Sequence, residues 1–416
     1  MVLTVRAPVR PERIGALRSA LASMNDGVPP SLPFGELSGV HFARFVLLED
    51  STDLDGRAIP ATLLYMAELD APAARHVDEL AARGAPALDV LLGHCADYPA
   101  SPAPVERAAY LRAHAIPSQA NYVNAIGRTV DQVRREDELR RAIEAFLDTS
   151  TGSLPDSPEG VREAIQRFVR GEPSLAWATR RARRPSLRWR ALQALHLARI
   201  AIGLALLAPF ALLALPFYAI ALRRQELRDP APHVLPDPEH VRELAALEDR
   251  AAHNQFAAVG YVKPGALRRM TVAVVLWLID AGARHVFTRA DLAGVKTIHF
   301  AHWTMLDEGR RVIFTSYYDG SLEAYMDDFI DKVAFGLNAS FSNGVGFPRT
   351  RFLLFEGAHR EQEFKDHLRR RQIPSQVWYS AQPQLSALNI ENNALIRSGL
   401  FGPLTRPDTE TWLRRL

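Results

Sequence analysis

Cysteine is almost absent from this chain: Cys95 is the single one in 416 residues. One thiol excludes an intramolecular disulfide and a thiolate metal cluster, fits a reducing compartment, and is expected to serve as a small buried hydrophobe. The excess of positive over negative charge is equally slight, with 50 Lys and Arg against 47 Asp and Glu. A net charge of +3, without any DNA- or RNA-binding signature, argues against a nucleic-acid partner. The opening MVLTVRAPVRPERIGAL has no apolar core segment, so no secretory signal is expected. The usual catalytic signatures are missing too: there is no P-loop, GxGxxG, GxSxG or HExxH.

What the chain does contain is an internal duplication. GVHFARFVLL (Gly39 to Leu48) matches TIHFAHWTML (Thr297 to Leu306), and LLYMAELDAPAARHVDEL (Leu63 to Leu80) matches VIFTSYYDGSLEAYMDDF (Val312 to Phe329). VRPERIGALRSAL (Val9 to Leu21) matches VKPGALRRMTVAV (Val262 to Val274), and YLRAHAIPSQ (Tyr110 to Gln119) matches HLRRRQIPSQ (His367 to Gln376). Blocks repeated in the same order divide the chain into a first copy (1–149), an insertion (150–253) and a second copy (254–416).

The second copy has a readable element order. NQFAAVGYV is strand-like, and Pro264 is placed to open a helix through LRRMTVAVVLWLIDAG. KTIHFAHWTML and RRVIFTSYY are β-branched and aromatic runs around the turn DEGR. Asp319 and Ser321 offer N-cap oxygens to a helix with Leu322, Tyr325, Met326 and Phe329 at helical spacing. GFPRTRFLLFEG is expected to supply a fourth strand. The order βαββαβ is ferredoxin-like. Two such units resemble the α+β-barrel superfamily, which implies an α+β fold with two sheets face to face. IPSQ is expected to tuck the last helix of each copy against its own sheet.

The insertion carries IAIGLALLAPFALLALPFYAIAL (Ile200 to Leu222), uncharged and long enough to span a bilayer. A single crossing would separate copies that must meet, and arginines flank the run on both sides. Pro209 and Pro216 interrupt it. The expectation is therefore a monotopic, re-entrant helical hairpin on the cytoplasmic face, partnered by the lipid bilayer. Arg180, Arg181, Arg183, Arg184, Arg188 and Arg190 would lie at anionic headgroups, and Trp177 and Trp189 at the interface.

Candidate chemistry gathers in the second copy. His299 and His302 sit three apart on a strand, so alternation puts them on opposite faces and no metal is expected between them. His41 repeats His299, which favours a structural role for both, whereas Arg44 stands where the second copy has His302. SYYDG (Ser316 to Gly320) resembles the GxxDG motif of dye-decolourising peroxidases, haem enzymes of paired ferredoxin-like units, with Ser316 in place of the first Gly. That resemblance implies Asp319 acting on peroxide with an arginine, and a haem ligand among His299, His302, His359 and His367. A helix cap accounts for Asp319 equally, since Asp70 repeats it. Arg349 and Arg351, in SNGVGFPRTR, have no arginine opposite them in the first copy, and NIENN (Asn389 to Asn393) is read as a turn cap. A pocket is expected near His302, Tyr317, Arg349 and Arg351. The functional expectation is a membrane-associated protein that binds or oxidises a hydrophobic small molecule, as a haem peroxidase-like oxidoreductase. The alternative is a non-enzymatic scaffold or partner-binding protein.

Overall fold

The computed structural model describes residues 1–416 except 71, 151, 181–185, 231, 289 and 290. Arg181, Arg183 and Arg184 therefore lie outside the described residues. The chain is α+β, with two principal antiparallel sheets, of nine strands together, and two short two-stranded ones among the described residues. The nine strands are β1 (Val2–Pro8), β2 (Val40–Leu48), β3 (Thr62–Leu69), β4 (Ala115–Ile116), β5 (Ala120–Val123), β6 (His253–Tyr261), β7 (Ile298–Leu306), β8 (Arg311–Asp319) and β9 (Val377–Ser380). The principal helices are α1 (Ile14–Asn25), α2 (Ala73–Arg83), α3 (Val130–Ser150), α4 (Leu187–Arg228), α5 (Ala266–His285), α6 (Leu322–Phe341), α7 (Glu361–Arg371) and α8 (Ala387–Ser398).

One sheet has the order β9-β2-β3-β1-β4 and the other β5-β7-β8-β6. Each sheet thus borrows an edge strand from the opposite copy, and the IPSQ phrase makes the exchange. After β4 has paired with β1, Gln119 N–H donates to Trp303 O (2.8 Å), and its side-chain oxygen accepts from Met305 N–H (2.5 Å). Gln376 repeats this on the other sheet, donating to Phe45 O (3.0 Å) and accepting from Leu47 N–H (2.9 Å). Tyr122 then pairs with Ala301, and Tyr379 with Ala43. The phrase is a strand switch, and it does not tuck a helix against its own sheet. Pro117 and Pro374 lie at the switch, where a residue without N–H interrupts a ladder without cost. For the same reason hydrogen bonding does not run on from sheet to sheet, and the expected closed barrel is not found among the described residues.

The sheets face one another across Val46, Leu48, Leu64, Met66, Leu306 and Ile313. Their outer faces are covered by the helices of their own copies, giving two further cores. α3 and α8, which follow the exchanged strands, form a helical layer with Pro158–Gly171 and Arg406–Leu413 around Leu139, Ile143, Ile165, Ile396 and Trp412. Asn389 of NIENN completes a capping box with Ser386 at the start of α8.

Two sequence expectations fail locally. GFPRTRFLLFEG is not the fourth strand; it forms a small hairpin, Thr350–Arg351 with Phe355–Glu356. Phe352 and Leu353 both turn through positive φ (54° and 61°), which no strand accommodates. The apolar run does not fold back either. It lies within a single helix of 42 residues that continues through Pro209 and Pro216, about 63 Å long at 1.5 Å per residue. Between the prolines stand only Phe, Ala and Leu, none of which favours the positive φ of a tight reversal.

Candidate functional site

Four places collect the chemistry, and the sequence-predicted residues, His359 and His367 apart, divide among three of them.

The first is the space between the sheets. Arg44, fully buried, crosses from β2 to the opposite sheet. It donates to Tyr317 Oη (2.8 Å), Gln255 Oε1 (3.2 Å), Phe256 O (2.9 Å) and Ser316 O (3.1 Å). The repeat mates make the reciprocal contact: His302 Nδ1 lies 3.0 Å from Glu68 Oε1, at ion-pair distance without the alignment of a hydrogen bond. His302 Nε2 also meets Thr315 Oγ1 (2.7 Å). In the sequence register Arg44 stands opposite His302, and Glu68 opposite Tyr317, so matched positions supply both inter-sheet polar contacts. Burial pushes the Tyr317 phenol up to about 12, with the Arg44 guanidinium pulling against it, and the hydroxyl stays protonated at neutral pH. His302 and Tyr317 therefore join the copies.

The second place is one end of this sandwich, beneath α3 and α8. His41 Nε2 lies 2.7 Å from Asp70 Oδ1, and His299 Nε2 lies 2.7 Å from Asp319 Oδ1. The other oxygen of Asp70 accepts from Val130 N–H (2.7 Å), and that of Asp319 from Ala387 N–H (2.7 Å). Each carboxylate thus caps the helix that follows the exchanged strand, α3 or α8. The helix following Asp319 is capped by Ser321, which corrects the expected partner of the Asp319 cap.

Both histidines occupy β-bulges, where the ladder register slips between Val40 and Phe42 and between Tyr317 and Tyr318. A bulge re-aims a side chain out of strand alternation. His299 consequently turns toward His253, whose ring lies 4.3 Å from its own, centroid to centroid. His253 Nε2 is 3.7 Å from Asp319 Oδ1 and 2.5 Å from Leu385 O, while Nδ1 meets Ser380 Oγ at 2.9 Å. Burial pushes His253 down to about 4. A cleft of about 40 Å³ lined by His41, Phe42, Asn124, His253, His299 and Phe300 adjoins the group. Sequence reading missed His253, since it opens a strand at the border assigned to the insertion.

The third place holds Arg349 and Arg351, with no contact to His302 or Tyr317. Arg349 donates to Asp229 O (3.2 Å), and Arg351 is exposed beside Glu356. The expected four-residue pocket is not assembled. This second-copy loop instead forms the socket for the end of α4. Glu226, buried, accepts from Thr350 Oγ1 (3.0 Å), Phe352 N–H (3.0 Å) and Leu353 N–H (2.9 Å). Asp229 pairs with Lys263 (2.8 Å) and Arg268 (2.6 Å).

The fourth place is an apolar cavity of about 290 Å³ on the outer face of the second sheet, between α5 and α6. Its wall includes Leu278, Ala283, Phe314, Phe329, Phe335 and Leu337. Leu278 and Phe335 are also exposed, at 49% and 58%, and mark its mouth. Two wall residues, Tyr122 and Trp303, carry a buried hydroxyl and a buried indole N–H without a hydrogen-bond partner.

The haem arrangement implied by the peroxidase-like motif does not fit these residues. No histidine or cysteine lines the large cavity, and both Asp319 oxygens are engaged at the other site. His359 is exposed, and His367 gives its Nδ1 to Gly346 O (2.9 Å) beside a smaller cleft. No step is assigned to that group. Comparison of the chain with family models, with curated proteins and with solved structures finds no match.

Proposed function

We propose that this is a membrane-surface protein that takes a hydrophobic molecule from the bilayer into the α5–α6 cavity. The observation that carries the reading is that α5, which forms one wall of the cavity, is also the helix to which α4, the one long apolar helix among the described residues, is tied. The apolar stretch of α4 is unburied, with Leu206, Phe210, Leu213 and Phe217 each at least two-thirds exposed. So contiguous an apolar surface is costly in water. His196 meets His285 (2.8 Å) and Tyr218 meets Thr271 (2.9 Å), so both halves of α4 are held to α5. A helix tied in this way to one body lies along it, which supports an in-plane, monotopic attachment over a crossing. Arg188, Arg190, Arg224 and Arg228 at its ends suit anionic headgroups on the cytoplasmic face, while Arg223 turns inward to Glu226 and Thr350 O. The unpartnered donors of Tyr122 and Trp303 favour a ligand with an apolar body and a hydrogen-bond acceptor, such as a long-chain acid, ester or ketone.

Wild-type protein is expected to float with vesicles containing anionic lipid, and a Leu206→Glu, Phe210→Glu, Leu213→Glu variant to remain in the dense fraction with unchanged circular dichroism. A fluorescent long-chain fatty acid should bind the wild type, and Ala283→Phe, which fills the cavity wall, should weaken it at least tenfold. Wild-type protein that neither floats nor binds the probe would overturn the reading in favour of a partner-binding scaffold.

The His196–His285 contact also predicts a pH dependence. The two rings meet at 2.8 Å, and burial, His196 and Arg284 together lower the His285 pKa from 6.5. A depressed histidine contributes stability at pH above 6.5 and loses it as pH falls below that value. Proteolysis of α4 should therefore be faster at pH 5 than at pH 7.5, and His285→Gln should abolish the difference.

A further inference from the structure

The geometry points to a binding site for one divalent first-row transition metal at His253, His299 and Asp319. One ligand atom from each residue lies within 4.8 Å of the others, and the two histidines are buried. Two imidazole nitrogens and one carboxylate oxygen form a donor set that suits zinc, iron(II) or cobalt(II), and leaves coordination positions for water or a small anion.

Three features favour a ligand site over a hydrogen-bonded trio. The supporting contacts are in place: Ser380 holds Nδ1 of His253, and the Ala387 N–H holds the second oxygen of Asp319. Such outer partners fix the direction in which a metal ligand presents its lone pair. The bulge at His299 turns that ring out of the ladder and toward His253. Finally, the duplication supplies an internal comparison. The first copy has the bulged His41 and its Asp70, satisfied as a pair, yet among the described residues no third ligand joins them. His253 is thus an addition to a pair that the fold already maintains without it. The adjoining cleft gives the site access for water. In the metal-free arrangement Nε2 of His253 carries a proton toward Leu385 O, and metal binding displaces that proton.

The test uses the full-length protein in detergent, stripped with a chelator and titrated with Co²⁺, then with Zn²⁺ in competition. One Co²⁺ per chain is expected, with visible d–d absorption that Zn²⁺ abolishes and a rise in the thermal midpoint on binding. His253→Gln and Asp319→Asn should each weaken binding at least tenfold. His41→Gln, in the same cleft but outside the trio, should bind as the wild type does. Asp319→Asn retains an acceptor for the Ala387 N–H, so it serves as the folded variant should His253→Gln be unstable. Wild-type protein that binds neither metal, or variants that bind both with wild-type affinity, would show a hydrogen-bonded trio only.

Discussion

Replacing Glu226 with alanine is expected to destabilise the protein by about 3 kcal/mol or more, and to free the end of the apolar helix. This carboxylate is buried and accepts from one hydroxyl and two backbone N–H groups in the 350–353 turn. Each donor stranded away from water costs about 1–3 kcal/mol. Phe352 and Leu353 are both held at positive φ, a conformation that non-glycine residues keep only when their surroundings impose it. Glu226→Gln keeps one acceptor and should fall between wild type and alanine. Denaturant unfolding of the detergent-purified protein gives the energy, and limited proteolysis at 350–356 reports release of the turn. A loss below about 1 kcal/mol with no new cleavage would show that the socket is incidental.

Arg44→Met should cost about 3–5 kcal/mol, against about 1 kcal/mol for Tyr317→Phe. The guanidinium is fully buried and makes four hydrogen bonds to the opposite sheet. Methionine matches much of its length but leaves every one of those acceptors facing an apolar side chain. Tyr317→Phe removes one partner and keeps the ring stacked on Phe42, 4.3 Å away. Chemical denaturation of the two variants ranks them directly. Equal losses would mean that the bond to the Tyr317 hydroxyl carries the stabilisation and that the other three bonds add nothing measurable.

The α+β class and its antiparallel strands were legible because they rest on hydrophobic periodicity. Both IPSQ phrases could be seen, but their role could not. A strand that pairs with the other copy has the same alternation as one that pairs with its own, and only the long-range contacts of Gln119 and Gln376 distinguish them. Alternation was expected to put His299 and His302 on opposite faces, but the bulge takes His299 out of that alternation and turns it toward His253, and a bulge leaves no mark in an alternating pattern. Arg349 and Arg351 were singled out because they differ from the first copy. In the structure the loop that carries them holds Glu226 and Asp229 at the end of α4. Divergence between repeats marks where something binds, and here the occupant is the protein's own helix. The hairpin expectation weighed two prolines too heavily, since a reversal also needs residues that turn readily.

The exchanged strands set a timetable for synthesis. The outer edge of β2 is completed only by β9, residues 377–380, so most of the chain must leave the ribosome before that edge is covered. At about 5–20 residues per second, the first half waits many seconds with an open edge rich in Val, Phe and Leu, a template for pairing with another chain. During the same interval α4 emerges and can reach a membrane first. Early capture there would hold the nascent chain at a surface and keep unfinished copies apart. Loss of the helix would then show itself as aggregation during expression, even where the finished sandwich is stable.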